Sequence, residues 1–359
     1  RAIEPSGFRI STSTPAGSRP ASSARSLAAS VWPARVSTPP SRARRGKIWP
    51  GWTRSSAQAS GATAVLARAT VVESLDTALA GAVLTIGLSA RPREFAGQVL
   101  HTVAARRRRI ARTNWALCFP RDSEAERNRA VRRHFVYFAQ SWLDRSWVWE
   151  ASEAVTRRRL RLVGAVHELA TDGPILVFAP HFVGLDAGGT ALALGFPRRF
   201  ISLYARQRNV AVDQWIRAGR LRYGSVRLVE KHQSMRSLVQ ALRAGEVLYL
   251  LPDMDMGPAE SVFVPFFGVS TATVPTLPRL AQMGRARVVP VISRMTPSGY
   301  DVEVLPGWDG YPGGDAVADT ALMNQRLEQM IATMPEQYYW VHKRFKTRPA
   351  GEASPYARS

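Results

Sequence analysis

The chain has 359 residues, of which 45% are hydrophobic and 21% are charged, and its mean hydropathy of −0.15 is that of a globular protein. Forty-nine Lys and Arg against 27 Asp and Glu give a formal net charge of +22, which favours a polyanionic partner such as nucleic acid, anionic lipid or an acidic carrier. The single cysteine, Cys118, excludes an internal disulfide and any multi-cysteine zinc or iron–sulfur site.

The composition divides the chain into four regions. Residues 1–65 are rich in Ser, Pro and Arg and lack helical or strand periodicity, so we expect a disordered leader or a mis-assigned start. Residues 66–150 are expected to form a helical, basic and aromatic segment close to a membrane. An α/β domain is expected at 151–349, followed by a disordered tail at 350–359.

Arginines and aromatic residues cluster within the helical segment. The run RRRRIAR occupies 106–112, and an aromatic stretch extends from Phe135 to Trp149. Such residues suit a membrane interface, where guanidinium groups meet phosphates and indole rings lie among the headgroups. A solvated helix face beside an aromatic core is the alternative, and nucleic acid is a third. The uncharged stretch 77–90 is shorter than the roughly 20 residues of a membrane-spanning helix.

Beyond residue 151, short apolar runs alternate with amphipathic stretches. Buried strands are predicted at 174–180, 199–205, 225–229, 246–252 and 286–294. Helices are predicted between them, at about 184–195, 208–222, 232–244 and 273–284. This alternation predicts a mixed, mostly parallel central sheet flanked by helices. Ligands of such sheets bind at the carboxyl ends of the strands, so the residues that follow each strand are the candidates for chemistry.

The first of these strands leads into the segment His181-Phe-Val-Gly-Leu-Asp186. A carboxylate beside an imidazole fixes its tautomer, and the other ring nitrogen can then act as a general base. Because five residues of an ideal helix rotate by about 140°, the two side chains can meet only if His181 lies on the turn and Asp186 in the first helical turn. The sequence lacks a GxSxG nucleophile elbow, which favours direct attack by a substrate hydroxyl over a covalent intermediate. In the alternative, Asp186 caps the helix and the backbone satisfies His181.

Charged residues also follow two other strands. Arg206, Asn209, Arg220 and Arg222 come after the strand at 199–205. The arginines among them could clamp phosphates, or they could be solvated helix charges.

Asp253 and Asp255 follow the strand at 246–252 as an Asp-x-Asp pair. Such a pair could hold a divalent metal that bridges nucleotide-sugar phosphates, so a metal-dependent glycosyltransferase is one competing function. Another is a basic lipid- or nucleic-acid-binding protein without catalysis. Further on, the aromatic segment 261–268 could line an acyl-chain tunnel or pack the core, and His342 is expected to be structural.

Taken together, these motifs resemble the bacterial lipid A late acyltransferases, the lauroyl and myristoyl transferase family of the wider glycerol-phosphate and lysophospholipid acyltransferase group. The resemblance runs from about Arg106 to Pro349. It is carried by RTNWALCFP at 112–120, APHFVGLD at 179–186, the block 204–224, LPDMDMG at 251–257, VFVPFFG at 262–268, VVPV at 288–291 and YYWVHKRFK at 338–346.

The resemblance implies a glycerol-phosphate acyltransferase-like fold and transfer of a fatty acyl chain from acidic acyl carrier protein to a hydroxyl of a lipid A precursor that bears Kdo sugars and phosphates. The family's His-x4-Asp/Glu signature falls on His181 and Asp186, which implies that both are catalytic. The substrate-binding candidates are Arg206, Asn209, Arg220, Arg222, Asp253 and Asp255. A lysophospholipid or another glycolipid is the alternative acceptor.

The resemblance also implies a place at the cytoplasmic face of the bacterial inner membrane, and it implies no cofactor, no metal and no nucleic-acid partner. Members of the family usually carry an amino-terminal membrane helix, and residues 1 to about 75 offer no stretch of spanning length. We therefore expect either a lost anchor or peripheral attachment through the basic and aromatic surface.

Overall fold

The computed structural model describes residues 92–230 and 235–357. The predicted leader at 1–65, the first part of the helical segment at 66–91 and the uncharged stretch 77–90 lie outside the described residues. Within the described ranges, no helix combines the length and the apolar character that crossing a membrane requires.

In the described residues, four helices precede the first strand. They are α1 (Pro92–Val103), α2 (Ala105–Cys118), α3 (Glu124–Glu150) and α4 (Glu153–Arg159). The longest, α3, begins at a capping box in which Ser123 accepts the backbone N–H of Glu126 and the Glu126 carboxylate accepts that of Ser123. The first three helices lie in the segment that the sequence predicts to be helical.

The described residues also form nine strands. They are β1 (Leu160–Gly164), β2 (Ile175–Phe178), β3 (Arg199–Tyr204), β4 (Ser225–Glu230), β5 (Val247–Leu250), β6 (Val262–Phe266), β7 (Val269–Thr273), β8 (Arg287–Met295) and β9 (Tyr300–Val304). Seven of them make one sheet in the order β1-β9-β8-β2-β5-β3-β4, in which only the β8–β9 pair is antiparallel. Strands β6 and β7 form a separate antiparallel hairpin.

Five further helices flank the sheet. They are α5 (Leu185–Gly195), α6 (Val210–Arg220), α7 (Met235–Arg243), α8 (Thr276–Gly284) and α9 (Ala316–Thr333). Each of the five predicted strands and four predicted helices has a counterpart, and the mostly parallel sheet flanked by helices is confirmed. Strands β1 and β9 and the β6–β7 hairpin were not among the predicted elements, because short strands of mixed burial give no long apolar run.

Strand β2 is buried on both faces, as a central parallel strand must be. Ile175 and Val177 point into the hydrophobic cluster that includes α5 and α6. Leu176 and Phe178 point into the cluster that includes α7, α8 and α9. This two-sided packing fixes the position of the carboxyl end of β2, and the chain that follows it carries His181.

Candidate active site

His181 lies three residues beyond the carboxyl end of β2, and its partner comes from the neighbouring strand. Strands β2 and β5 are parallel, with Phe178 opposite Leu250, so the residues that follow them meet at one edge of the sheet. The Nδ1 atom of His181 lies 2.6 Å from Oδ1 of Asp253, and the His181 backbone N–H donates to Oδ2 at 2.9 Å. The two contacts fix the orientation of the ring and leave Nε2 as the nitrogen available for proton transfer.

Asp253 is fully buried and accepts a third hydrogen bond. The Tyr338 hydroxyl donates to its Oδ2 at 3.0 Å. Burial alone would raise the pKa of Asp253, but the attraction and hydrogen bonds of His181 hold that pKa well below its usual range. Burial, together with the Asp253 charge, raises the pKa of Tyr338 well above its usual value, so the phenol stays protonated and can donate.

The turn that presents His181 is held by the chain around Tyr338. The backbone N–H of Tyr339 donates to the His181 carbonyl at 2.9 Å, and that of Val183 donates to the Gln337 carbonyl at 2.8 Å. These bonds flank a β-bridge between Phe182 and Tyr338. One short segment therefore both donates to Asp253 and holds the backbone of His181.

Asp186 lies in the first turn of α5, as predicted, but it does not pair with His181. Its Oδ2 accepts from Arg145 on α3, which donates from Nε at 2.8 Å and from Nη2 at 2.6 Å. Its Oδ1 accepts from Arg220 on α6, which donates from Nε and from Nη2, each at 2.8 Å. The predicted contact between the Asp186 carboxylate and the His181 ring is thus wrong, because two guanidinium groups occupy both oxygens and Asp253 occupies Nδ1. Whether either residue is catalytic stays a prediction.

The Arg145–Asp186–Arg220 cluster is buried and carries a net positive charge. Burial alone would raise the pKa of Asp186, but Arg220 and Arg145 lower it to about 2. The Arg145 guanidinium lies 4.0 Å from the ring centroid of Trp142, and its Nη1 atom is buried without a hydrogen-bond partner. Sequence reasoning missed Arg145, and the only available signal was an adjacent pair of charged residues, Asp144 and Arg145, inside an aromatic helical run.

Of the four polar residues predicted after β3, the structure brings only Arg220 to this cluster. Asn209 caps α6 by accepting the backbone N–H of Val212 at 3.1 Å, and Arg222 donates to the Ala151 carbonyl at 2.6 Å. Arg206 is exposed in the loop before α6. A substrate-binding role for these three residues stays a prediction.

Asp255 fastens the carboxyl-terminal segment. Its two oxygens accept the backbone N–H and the hydroxyl of Thr347, each at 2.8 Å, and Oδ1 also accepts the N–H of Gly257 at 2.9 Å. Both carboxylates of the Asp-x-Asp pair are therefore engaged by donors of the protein itself. In the part of the chain that the structure describes, no group of three or more acidic, histidine or cysteine side chains is placed to hold a metal ion.

The aromatic segment 261–268 and His342, both singled out in the sequence, pack against the protein interior. Strand β6 includes Phe266, which is fully buried in the core against Tyr338 and Phe345, so this part of the segment 261–268 packs the core. The His342 ring stacks on Tyr339 at 6.2 Å, and burial and the neighbouring Arg344 lower its pKa to about 3. His342 is therefore neutral at physiological pH.

A largely apolar pocket opens between α5 and strands β3, β4 and β5. Asp186 and Arg220 contribute its charged wall. Its apolar wall includes Leu185, Leu192, Phe200, Leu228, Tyr249 and Leu251. Leu251 is two residues before Asp253, so one end of the pocket lies at the sheet edge that carries the His181–Asp253 pair, and the pocket extends from there to Phe200 and Val226 near the start of β3 and β4.

Comparison with known proteins gives one consistent family. A family model described as bacterial lipid A biosynthesis acyltransferase matches residues 64–347. The lipid A biosynthesis lauroyltransferase of Escherichia coli K12 is 36% identical over 258 residues, which cover 70% of this chain and 83% of that protein. The lipid A biosynthesis palmitoleoyltransferase of the same strain is 32% identical over 268 residues, which cover 72% of this chain and 85% of that protein. The lipid A biosynthesis myristoyltransferase of that strain is 31% identical over 261 residues, which cover 70% of this chain and 79% of that protein.

Proposed function

Because the chain belongs to the bacterial lipid A biosynthesis acyltransferase family and is thus an acyltransferase, we propose that it moves a fatty acyl chain from acyl carrier protein to a hydroxyl of a lipid A precursor. The observation that carries this proposal is the His181–Asp253 pair at the carboxyl ends of two neighbouring parallel strands. The acceptor in this proposal bears Kdo sugars and phosphates, and the reaction takes place at the cytoplasmic face of the inner membrane. The sheet would then share the arrangement of glycerol-phosphate acyltransferases.

In the proposed reaction, His181 is the general base. Its Nε2 accepts the proton of the acceptor hydroxyl while that oxygen attacks the thioester carbonyl carbon. Asp253 stabilises the imidazolium through Nδ1, the role that the sequence assigned to Asp186. The tetrahedral intermediate then collapses, the carbon–sulfur bond breaks, and the departing carrier thiolate takes the proton from Nε2. The products are the new ester and the free carrier thiol.

The net positive charge of the Arg145–Asp186–Arg220 cluster supports a role in binding the acceptor. Two guanidinium groups share one carboxylate, so one positive charge of the cluster has no counter-ion within it. That charge can attract an anionic oxygen of the acceptor. In this proposal, Asp186 is a positioning residue that holds both guanidinium groups, and Arg220 contacts a phosphate of the acceptor.

The apolar pocket beside α5 is suited to the acyl chain. Leucine and phenylalanine side chains make up much of its wall, which suits a hydrocarbon chain. Its position at the edge that carries His181 would place the thioester carbonyl near Nε2 with the hydrocarbon between α5 and the sheet. Substitutions in this wall, such as Leu192→Phe, should shorten the chain that is transferred.

The test is mass spectrometry of lipid A from cells that lack their own late acyltransferase and express this chain. We expect the intact chain to add the mass of one acyl group. His181→Ala should lower turnover by at least the roughly 10²–10⁴-fold that general-base catalysis contributes. His167→Ala removes an exposed histidine from a short 3-10 helix and serves as the matched control with full activity.

Two outcomes would contradict the proposal. Retained activity in a folded His181→Ala variant would show that another group is the base. No mass gain from a folded intact chain recovered with the membrane fraction would point to a different acceptor, and an assay with lysophospholipid would then identify the alternative.

A further inference from the structure

The outer face of α2 forms a cleft that is lined by arginines. The opposite face of the helix is buried, with Ile110, Asn114 and Cys118 turned inward. The outer face and the start of α3 supply the arginine cleft, whose walls are Arg108, Arg109, Arg112, Arg127, Thr113 and Ala116. The site already described lies at the edge of the sheet, so this cleft is a separate feature of the surface.

The acidic residues near the cleft do not neutralise it. Residues 106–133 contain ten arginines and three acidic side chains. Asp122 accepts from the Trp115 indole at 2.7 Å, and Glu126 is held in the capping box at the start of α3. Glu124 pairs with Arg112 at 2.9 Å and is the only one of the three acids paired with a side chain of the cleft.

One arginine of the cleft also has an unused donor. Arg127 donates from Nη2 to the Asp122 carbonyl at 3.2 Å, but its Nε is buried without a hydrogen-bond partner. The acceptor of Arg127 is a neutral carbonyl, which does not compensate the positive charge of the side chain, so that charge can attract a carboxylate. The cleft is therefore suited to a partner that brings carboxylates.

The helix that bears the cleft is joined to the catalytic turn. Asn114 donates from Nδ2 to the carbonyls of Trp340 and His342, each at 2.7 Å, and Arg107 donates to the Val341 carbonyl at 2.8 Å. Tyr339 of the same segment holds the His181 carbonyl. A protein bound to the outer face of α2 would thus be held in a fixed relation to His181, as delivery of a tethered thioester requires.

We propose that the arginine cleft is the docking surface for the acidic acyl carrier protein that delivers the acyl chain. This inference rests on the proposed function and names the surface that the donor uses. The cleft contains no large apolar side chain, whereas a helix that lies in a bilayer interface inserts one. Its chemistry thus favours an acidic protein over a lipid surface, and complementary charge increases the rate of encounter.

The test compares two acyl donors with the full chain. One donor is the acyl carrier protein, and the other is a pantetheine thioester of the same acyl chain, which lacks the acidic protein. In Arg109→Glu/Arg112→Glu, we expect kcat/KM with the carrier to fall about tenfold or more at low salt and the deficit to shrink as salt rises. With the small thioester, kcat/KM should change less than about twofold, since no step of the chemistry uses the cleft.

The matched control is Arg158→Glu/Arg279→Glu, which reverses two exposed arginines on α4 and α8. It makes the same change in net charge, and we expect it to keep its kcat/KM with both donors. Circular dichroism and urea unfolding of both double variants establish that each is folded.

Three outcomes would overturn the docking surface. The first is an equal loss of kcat/KM with both donors, and the second is an equal loss in the control. The third is an unchanged rate with the carrier while the cleft variant no longer floats with vesicles that contain phosphatidylglycerol, which would assign the cleft to the bilayer.

Failure of the proposed function has a different signature. If the intact chain is inactive with both donors, fluorescence anisotropy of labelled carrier protein still tests docking directly. Binding to the intact chain that the cleft variant loses would support the surface, and no binding to the intact chain would overturn it.

Discussion

Two buried carboxylates lie close to the turn that carries His181, and they have different partners. Asp186 is close in sequence, and Asp253 is close in space. Asp253 accepts from an imidazole, a backbone N–H and a phenol hydroxyl, whereas Asp186 accepts from two guanidinium groups. An imidazole changes its charge near neutral pH, and a guanidinium does not. The charge beside Asp253 can therefore change during a proton transfer. The charges beside Asp186 stay constant, and its ion pairs hold α3, α5 and α6 together.

Removing the charge of Asp253 should have the largest effect. In Asp253→Asn, we expect kcat/KM to fall by about 10²–10⁴-fold, because the amide no longer selects the tautomer that leaves Nε2 free or stabilises the imidazolium. The measurement is steady-state kinetics on purified protein, with circular dichroism to establish folding. A folded variant within about threefold of the wild type would show that Asp253 only supports the backbone of the turn.

Removing the charge of Asp186 should act first on stability. In Asp186→Asn, both Arg145 and Arg220 stay largely buried without an anion, which should lower the free energy of unfolding by about 3 kcal/mol. Urea unfolding measures the loss. The fall in kcat/KM per folded molecule should be smaller than in Asp253→Asn, since the imidazole keeps its own carboxylate.

A second variant keeps this prediction testable if Asp186→Asn does not fold. In Asp186→Asn/Arg220→Gln, one of the two unpaired cations is removed, so part of the lost stability should return. If the double variant is less stable than Asp186→Asn, the guanidinium groups are not the cause of the loss. If Asp186→Asn is instead less active than Asp253→Asn while fully folded, the assignment of the two carboxylates is reversed.

The pH dependence of stability should separate Asp186 from the buried histidines. The folded pKa of Asp186 is about 2, below that of an unfolded aspartate, so its stabilisation is present above about pH 4 and is lost as pH falls towards 2. The difference in unfolding free energy between the wild type and Asp186→Asn should therefore narrow by about 2 kcal/mol over that range. Urea unfolding at pH 7, 5, 4, 3 and 2 measures it.

The buried histidines act at higher pH. Burial lowers the pKa of His134 to about 4, and burial and Arg344 lower that of His342 to about 3. The unfolded chain takes up protons from about pH 6.5, so their contribution is lost as pH falls from that value through the folded pKa. Both proteins share this loss, and it cancels in the difference. A difference that stays constant from pH 4 down to pH 2 would mean that Asp186 is not held at its low pKa.

The sequence predicts the central strands and the position of His181. It does not predict that Asp253 is the carboxylate that pairs with His181. Apolar runs such as 174–180 locate β2, and the position of His181 after that run places it at the edge of the sheet. The spacing to Asp186 favoured a local pair. The actual pairing with Asp253 spans 72 residues and depends on β5 lying beside β2, a strand order that no local pattern encodes. Asp253 was a candidate as half of a metal-binding pair and as a substrate-binding residue, but not as the partner of His181.

The smallest predicted effect concerns the hydroxyl of Tyr338, the third donor to Asp253. In Tyr338→Phe, the carboxylate keeps the ring and backbone N–H of His181, so kcat/KM should fall only severalfold and stability by about 1 kcal/mol. Tyr300→Phe is the matched control, because Tyr300 is also buried and donates to Asp144 at 2.8 Å. Both variants should lose similar stability. Only Tyr338→Phe should lower kcat/KM and shift the pH profile of kcat/KM, since only the Tyr338 hydroxyl contacts Asp253, the carboxylate that pairs with His181. An equal fall in kcat/KM in both variants would reduce the role of Tyr338 to packing.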